Sequence, residues 1–381
     1  MTHTTPDRRV LLDNGGHAPW HPLAREAFVR ALDDGWADPR RLHAEGRRAA
    51  ALLDGAREAV AAALGARTEE VVFTANHTAS LHTAVAALAG ARHRTGRRVV
   101  VGAVERAAVL HAAEHGGLER EVVGVDGSGR VDAAEMTDAV GRPGVALAAL
   151  QAANGEVGTR QPVAAVHEAA RRAGVPLLVD AGAPLGRGGV PGRGDARAAA
   201  RGGGGGGRGG GGGGGGSRVR RRSPFPEDAD PWAPGGVSVP AAFAAAVSLQ
   251  AVLADRDAQD ARRRALVDRV RARVAQIPDV EVVGDPVDRL PHVATFSFLY
   301  VDGEALLTDL DREGVAVGSG SACTSSSLEP SHVLAAMGVL THGNVRVALD
   351  RSTTEDDVER LLAALPDAVA RVRAALGVQG L

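Results

Sequence analysis

Helix-like and strand-like segments alternate along the first half of the chain, and this alternation is the strongest constraint on its fold. From Gly46 to about Asp180, segments with helical periodicity are separated by short apolar, mostly β-branched runs. The predicted strands cover residues 71–74, 98–101, 145–150 and 175–179, and the predicted helices cover 49–64, 79–88 and 163–173. This order is typical of an α/β fold in which helices cover a mostly parallel sheet.

Polar residues follow several of the predicted strands at the point where each strand ends. They are residues 74–78, Glu105, Arg106, residues 154–159 and Asp180. Ligands bind beyond the carboxyl ends of the strands in sheets of this kind. We therefore expect these residues to converge on one cleft.

A different pattern begins near Val239. It predicts a long helix over 242–274, strands over 280–283 and 293–298, and helices over 304–313 and 354–376, which together are typical of a smaller α+β domain. We expect three parts, which are an N-terminal segment 1–20 that packs with the small domain, a large domain 21–240 and a small domain 241–381.

A glycine tract interrupts the large domain. Residues 202–216 are all glycine except Arg208, and the flanking stretches are rich in arginine. Glycine buries no side chain and loses the most backbone entropy on ordering. We therefore expect 196–222 to be disordered and to contribute no strand to the core.

Charge and composition exclude several classes of partner. The net charge of −2 gives no electrostatic reason to bind nucleic acid or an anionic membrane. No apolar run approaches the ~20 residues of a membrane span, and the first residues do not resemble a secretory leader. Together with the presence of a single cysteine, these features predict a cytoplasmic protein.

That single cysteine, Cys323, lies in a run of small polar residues. Free cysteine is usually buried as a small hydrophobe. Here, however, no apolar residue larger than alanine lies between Val317 and Leu328. A thiol on a Gly/Ser-rich segment of this kind is expected to be exposed and reactive.

The residues around Cys323 resemble the active loop of cysteine desulfurases, which are pyridoxal 5'-phosphate enzymes of the class V aminotransferase group. The resemblance rests on residues 319–323 and 328–334, and further stretches resemble family motifs in the same order. Those stretches are 12–14 with Pro19, 42–47, 73–74, 154–159, 179–181 and 344–346. The resemblance implies a fold-type I architecture, with a large sheet domain and a smaller α+β domain, and a homodimer.

The resemblance also implies a reaction. In the family, sulfur is removed from L-cysteine to give L-alanine, and a cysteine thiolate carries the sulfur as a persulfide to an acceptor protein or pathway. Cys323 matches this nucleophile. Arg346 matches the residue that binds the substrate carboxylate, a role that suits a planar guanidinium, and Asn14 in the opening motif is assigned to the same subsite.

Four residues match cofactor-binding positions. Asp180 matches the acid that pairs with the pyridinium nitrogen, and Thr78 matches a threonine that contacts the phosphate. Asn154 is assigned to the cofactor, and Arg106 stands where the family has the histidine that stacks on the ring. The alternatives are a turn or cap role for Asp180, an N-cap role for Thr78 and a surface ion pair for Arg346.

The chain departs from the family at the residue that anchors the cofactor. All 44 basic residues are arginine, so no lysine stands near 201–204, where the family's Schiff-base lysine should fall, or elsewhere. Arginine stays protonated and cannot form the imine. Each lost proton-transfer role costs about 10²–10⁴ in rate, so we expect the chain as written to be nearly inactive.

Three hypotheses follow. The first is a cysteine desulfurase-type protein, in which a shifted reading frame accounts for 196–222. The second is a lysine-free pseudoenzyme that serves as a scaffold or relays sulfur through Cys323. The third is a selenocysteine lyase or another class V enzyme. No metal site is predicted.

Overall fold

The structure is a computed structural model that describes residues 9–187, 198–199, 206–207, 232–319 and 330–378. The α-helices in these ranges are α1 Pro22–Asp34, α2 Ala44–Leu64, α3 His77–Gly90, α4 Ala107–His115, α5 Ala133–Gly141, α6 Val163–Ala173, α7 Val239–Ala254, α8 Arg256–Val274, α9 Gly303–Arg312, α10 His332–Met337 and α11 Glu355–Ala375. The strands are β1 Val10–Leu11, β2 Val71–Val72, β3 Arg98–Gly102, β4 Glu119–Val123, β5 Val145–Gln151, β6 Leu177–Asp180, β7 Ala198–Ala199, β8 Gly206–Gly207, β9 Val280–Val283, β10 Val293–Phe298, β11 Val315–Ala316 and β12 Asn344–Ala348.

A parallel sheet in the order β4-β3-β5-β6-β7 forms the centre of the first half of the chain. Strand β5 is buried along its whole length, as expected for a strand covered on both faces. Successive valines of β3 point to opposite faces, so Val99 and Val101 pack with α3 and α4, whereas Val100 packs with α5 and α6. The predicted α/β fold with a mostly parallel sheet is confirmed.

An antiparallel sheet in the order β12-β10-β9 forms the second core. Helices α8 and α11 cover it, and Val10 and Leu12 from the start of the chain are fully buried in the same cluster. Strand β1 pairs in parallel with β11, and the Leu12 carbonyl accepts a hydrogen bond from the Ala348 backbone N–H. The N-terminal segment is therefore held against the C-terminal sheet.

Two sequence predictions about elements are wrong. The predicted helix 242–274 is two helices that meet at Asp255, with a 72° bend between their axes. Segment 196–222 contributes two short strands, because Ala198–Ala199 pairs with β6 in the central sheet and Gly206–Gly207 pairs with β2. Glycine keeps the backbone N–H and C=O groups that a strand needs. The other residues of 196–222, for which disorder is predicted, lie outside the described residues.

In the described ranges, no single helix combines the length and apolar composition of a membrane span. Helices α7 and α8 meet that criterion only jointly, as a bent pair.

Candidate active site

Asp180 ends β6 at the carboxyl edge of the parallel sheet, and its carboxylate is the centre of a small charged cluster. The side chain is only 2% exposed. Its Oδ1 accepts a hydrogen bond from the Gly182 backbone N–H at 2.8 Å and lies 3.0 Å from Nε2 of His77. Its Oδ2 accepts a hydrogen bond from Nε of Arg106 at 2.9 Å.

This environment keeps Asp180 ionised. Burial alone would raise the pKa of the carboxyl group, but the hydrogen bond from His77 and the positive charge of Arg106 outweigh it and lower the pKa to about 2. A buried, charged carboxylate at the ends of the strands can pair with a cationic group of a ligand.

His77 reaches Asp180 from the first turn of α3. Asn76 caps this helix by accepting a hydrogen bond from the Ala79 backbone N–H at 2.8 Å. Thr78, the second residue of the helix, is exposed at the same end and is not its N-cap. A Cβ at Gly182 would lie 2.6 Å from the His77 ring, so only glycine allows this approach.

Asn154 shapes the turn that follows β5. Its Oδ1 accepts hydrogen bonds from the backbone N–H groups of Glu156 and Val157, and its Nδ2 donates to the Val104 carbonyl at 3.1 Å. Asn154 therefore fixes residues 154–158 against the segment that carries Arg106. The next residue, Gly155, lies beside Arg106, because a Cβ there would touch the guanidinium at 3.8 Å.

A second cluster forms around Arg346 on β12. Its guanidinium donates to Oδ1 of Asp13 at 3.0 Å, and the backbone of Asn14 hydrogen-bonds to the Ala348 carbonyl beside it. Within the described residues, the buried Nε of Arg346 and Oδ1 of Asn14 have no hydrogen-bond partner. An unused donor and an unused acceptor in one place can bind a small polar ligand such as an amino acid.

Glu156 lies between the two clusters. Its carboxylate accepts a hydrogen bond from the Ser331 hydroxyl at 2.7 Å. Burial raises its pKa to about 7, although Ser331 and the charge of Arg346 act in the opposite direction. The turn 154–158 thus faces Arg106 on one side and Arg346 on the other, as expected if both clusters line one cleft.

Cys323 lies outside the described residues, but the structure fixes residues on both sides of it. Gly318 pairs with Arg346 through two backbone hydrogen bonds of 3.0 and 2.7 Å. A Cβ at Gly318 would lie 2.4 Å from Oδ1 of Asp13, which requires glycine here. Ser331, on the other side, caps α10 and holds Glu156. The flanks of the Cys323 segment therefore meet the Arg346 cluster.

The site suits pyridoxal phosphate as a non-covalent ligand and does not suit covalent attachment. Asp180 is buried and ionised, which is the state needed to hold a protonated ring nitrogen. Arg106, however, already pairs with Oδ2 of that carboxylate. The sequence also contains no lysine with which the cofactor could form an imine.

Sequence reasoning found part of this site and missed the rest. It selected Asp180, Arg106, Asn154, Arg346 and Asn14, which the structure gathers in and around the cleft. It did not find that His77 and Asp13 are side-chain partners of Asp180 and Arg346, or that Glu105 and Glu156 are buried beside the two clusters. The signals in the sequence were the positions of His77, Glu105 and Glu156 after predicted strands and of Asp13 in the stretch 12–14.

Comparisons with known proteins show the family of the chain. The family model for aminotransferase class-V matches residues 10–189 and 229–361. A cysteine desulfurase of Cereibacter sphaeroides is 35% identical, with 96% of this chain and 97% of that protein aligned. An IscS-like cysteine desulfurase of Mycobacterium tuberculosis is 36% identical, with 97% and 99% aligned.

Solved structures show the same fold. A NifS-like protein superposes with a TM-score of 0.80 at 22% identity, covering 97% of this chain and 99% of that one. A NifS-like protein of Rickettsia africae gives a TM-score of 0.79 at 19% identity, covering 95% and 99%.

Proposed function

This chain belongs to the class V aminotransferase family and, within it, to the cysteine desulfurases, which use pyridoxal phosphate, and from this premise we propose that it takes sulfur from L-cysteine. L-Alanine is the product, and Cys323 carries the sulfur as a persulfide to an acceptor protein or pathway. The observation that carries the proposal is the meeting of the Asp180 and Arg346 clusters at the turn 154–158.

Different residues of the chain bind the substrate and the cofactor in this proposal. Arg346, with its free Nε and with Oδ1 of Asn14 nearby, binds the carboxylate and amino ends of the substrate. Asp180 would hold the ring nitrogen of the cofactor, and Thr78 at the start of α3 its phosphate. When bound, the cofactor supplies an electron sink.

Among the residues of the chain, Cys323 then carries out the sulfur transfer itself. The Cys323 thiolate forms an S–S bond with the substrate sulfur while the substrate C–S bond breaks. The electron pair of that bond stays on the carbon, which takes up the proton that the Cys323 thiol gave up and becomes the methyl group of L-alanine. The balance is one L-cysteine and one thiol giving one L-alanine and one persulfide.

The test is L-alanine release from L-cysteine in the presence of pyridoxal phosphate and a thiol reductant. We expect turnover that is slow by about 10²–10⁴ for want of a lysine base, and none in the Cys323→Ser variant. Alanine release that is unchanged by Cys323→Ser would overturn the assignment of the nucleophile, and absence of alanine from both would overturn the proposal.

A second candidate is favoured by one observation, the absence of lysine from the whole sequence. In this alternative the chain takes no sulfur from L-cysteine and accepts it on Cys323 from a persulfide on another protein. It predicts a persulfide on Cys323 with a persulfidated donor and none with L-cysteine plus pyridoxal phosphate.

We also propose that the chain works as a homodimer in the cytoplasm. Val29, Leu32 and Trp36 recur at intervals of three and four residues along and just after α1, and each is about half exposed or more. A stripe of this kind is typical of a surface that another chain covers. A reducing compartment suits a lone thiol that must remain free.

A further inference from the structure

Both oxygens of the Asp180 carboxylate already face donor groups of the protein, and the donors at Oδ1 differ from the donor at Oδ2. Oδ1 faces the Gly182 backbone N–H at 2.8 Å and Nε2 of His77 at 3.0 Å. Oδ2 accepts only from Nε of Arg106, at 2.9 Å, among the hydrogen bonds that the described residues make with it. Oδ2 is therefore the oxygen at which a cationic ligand of Asp180 would meet a cation of the protein.

Arg106 is the movable partner of this carboxylate. Its side chain is 41% exposed, whereas that of His77 is 14% exposed and lies against Gly182. Its backbone stands at the N-cap of α4 in an extended conformation, but its side chain makes no capping hydrogen bond and extends to Asp180 instead. Arg106 can thus leave Asp180 while His77 and Gly182 keep the carboxylate in place.

A protonated ring nitrogen that pairs with Asp180 on the side away from His77 would meet Arg106 at Oδ2. A guanidinium and a protonated pyridine ring carry the same charge and would donate to the same oxygen. They exclude each other by both volume and charge. Gly155 brings no side chain against the guanidinium, which a Cβ there would touch at 3.8 Å, and the exposed part of the Arg106 side chain leaves it a path from Oδ2 towards solvent.

We propose that Arg106 is an internal competitor for the cofactor, which binds at Asp180 only after Arg106 has swung out. This inference rests on the proposed function, because it takes pyridoxal phosphate as the ligand of the site. It assigns to Arg106 a positioning role that opposes binding, where the sequence resemblance implied a contact that favours it.

The test is equilibrium binding of pyridoxamine 5'-phosphate, which has the same ring and phosphate but cannot form an imine with a protein amine. Its fluorescence reports binding to the full chain without any turnover. We expect Arg106→Ala to tighten binding by about tenfold or more, because the ligand no longer displaces a charge-assisted hydrogen bond. Arg106→Gln, which keeps a donor without the charge, should give part of this gain.

Two controls test whether a gain in affinity comes from loss of the Arg106–Asp180 pair. Arg120→Ala removes the same charge from an exposed site on β4 and should leave the affinity unchanged. In an Asp180→Asn background the gain from Arg106→Ala should disappear, because the contested oxygen has lost its charge.

Equal or weaker binding by both Arg106 variants, with unchanged thermal unfolding, would overturn the inference. So would absence of binding to every variant. The proposed function is judged separately by alanine release, so either idea can fail alone.

Discussion

The pKa of Glu105 shows how strongly burial beside this site perturbs a carboxyl group. It is 1% exposed, and one carboxyl oxygen accepts the Gln151 backbone N–H at 2.6 Å. Burial, and to a lesser degree the nearby charge of Asp180, raise the pKa of Glu105 to about 8. The folded protein therefore holds a proton at neutral pH that the unfolded chain has lost.

This linkage predicts the pH dependence of a Glu105→Gln variant. A raised pKa stabilises the folded state fully below the unfolded value, and the contribution is lost as pH rises towards about 8. Glutamine does not titrate, so between pH 5 and pH 8 the variant should gain about 2–4 kcal/mol relative to the parent. Urea unfolding at both pH values measures this gain, and the same difference at both would contradict it.

Arg346 allows a test of the substrate subsite. Arg346→Lys keeps the charge but removes the planar pair of donors, and the backbone pairing with Gly318 does not depend on the side chain. We expect the L-cysteine concentration for half-maximal alanine release to rise about tenfold or more. Arg351→Lys, which alters an arginine paired with Asp255, is the matched control and should leave it unchanged.

At the scale of single residues, the sequence identifies candidate side chains of the site but not the side chains that pair with them. Asp180 follows a strand and Arg346 lies in a motif, so both could be selected. The pairs His77–Asp180 and Asp13–Arg346 join segments that are far apart along the chain. No local pattern encodes such contacts, and they determine which donors remain free.

Among the elements, the buried strands were the most predictable. Strands β3, β5 and β6 lie within two residues of their expected limits, because continuous β-branched runs are a strong signal. The bend between α7 and α8 was not predictable, since helical periodicity continues across it. It lies at Asp255, whose carboxylate pairs with Arg351 from the segment after β12.

The bend at Asp255 gives an element-scale prediction. Asp255→Ala removes the Arg351 pair at a site where both side chains are about one-third exposed, so solvent screening limits the loss to about 0.5–1 kcal/mol of unfolding free energy. Urea unfolding measures it. In an Arg351→Ala background the substitution should cost nearly nothing, and an equal loss there would show that the pair does not hold the bend.

At the scale of the whole molecule, the proposed dimer makes the exposed stripe on α1 testable. Leu32→Glu should convert a dimer into a monomer at micromolar concentration, because a charge cannot be buried unpaired in the interface. Val122→Glu, at a similarly exposed apolar residue on β4, is the matched control. Light scattering gives the mass, and a monomeric parent chain would contradict the proposed dimer.

At this scale, the fold of the chain agrees with its family but its composition does not. The fold follows the family, whereas the roles of the two clusters and the domain limits 1–20, 21–240 and 241–381 stay predictions. The lysine that the family uses is absent from all 381 positions. If Cys323 is the nucleophile and Arg346 binds the substrate as proposed, a chain without the covalent anchor should transfer sulfur slowly.

The most direct measurement of that claim is the mass of the intact chain after incubation with L-cysteine and pyridoxal phosphate without reductant. The account predicts the mass of one added sulfur atom on Cys323, located by peptide mapping, with one equivalent of L-alanine in solution. An unmodified Cys323 under these conditions, in a chain that still takes sulfur from a persulfidated protein, would contradict it.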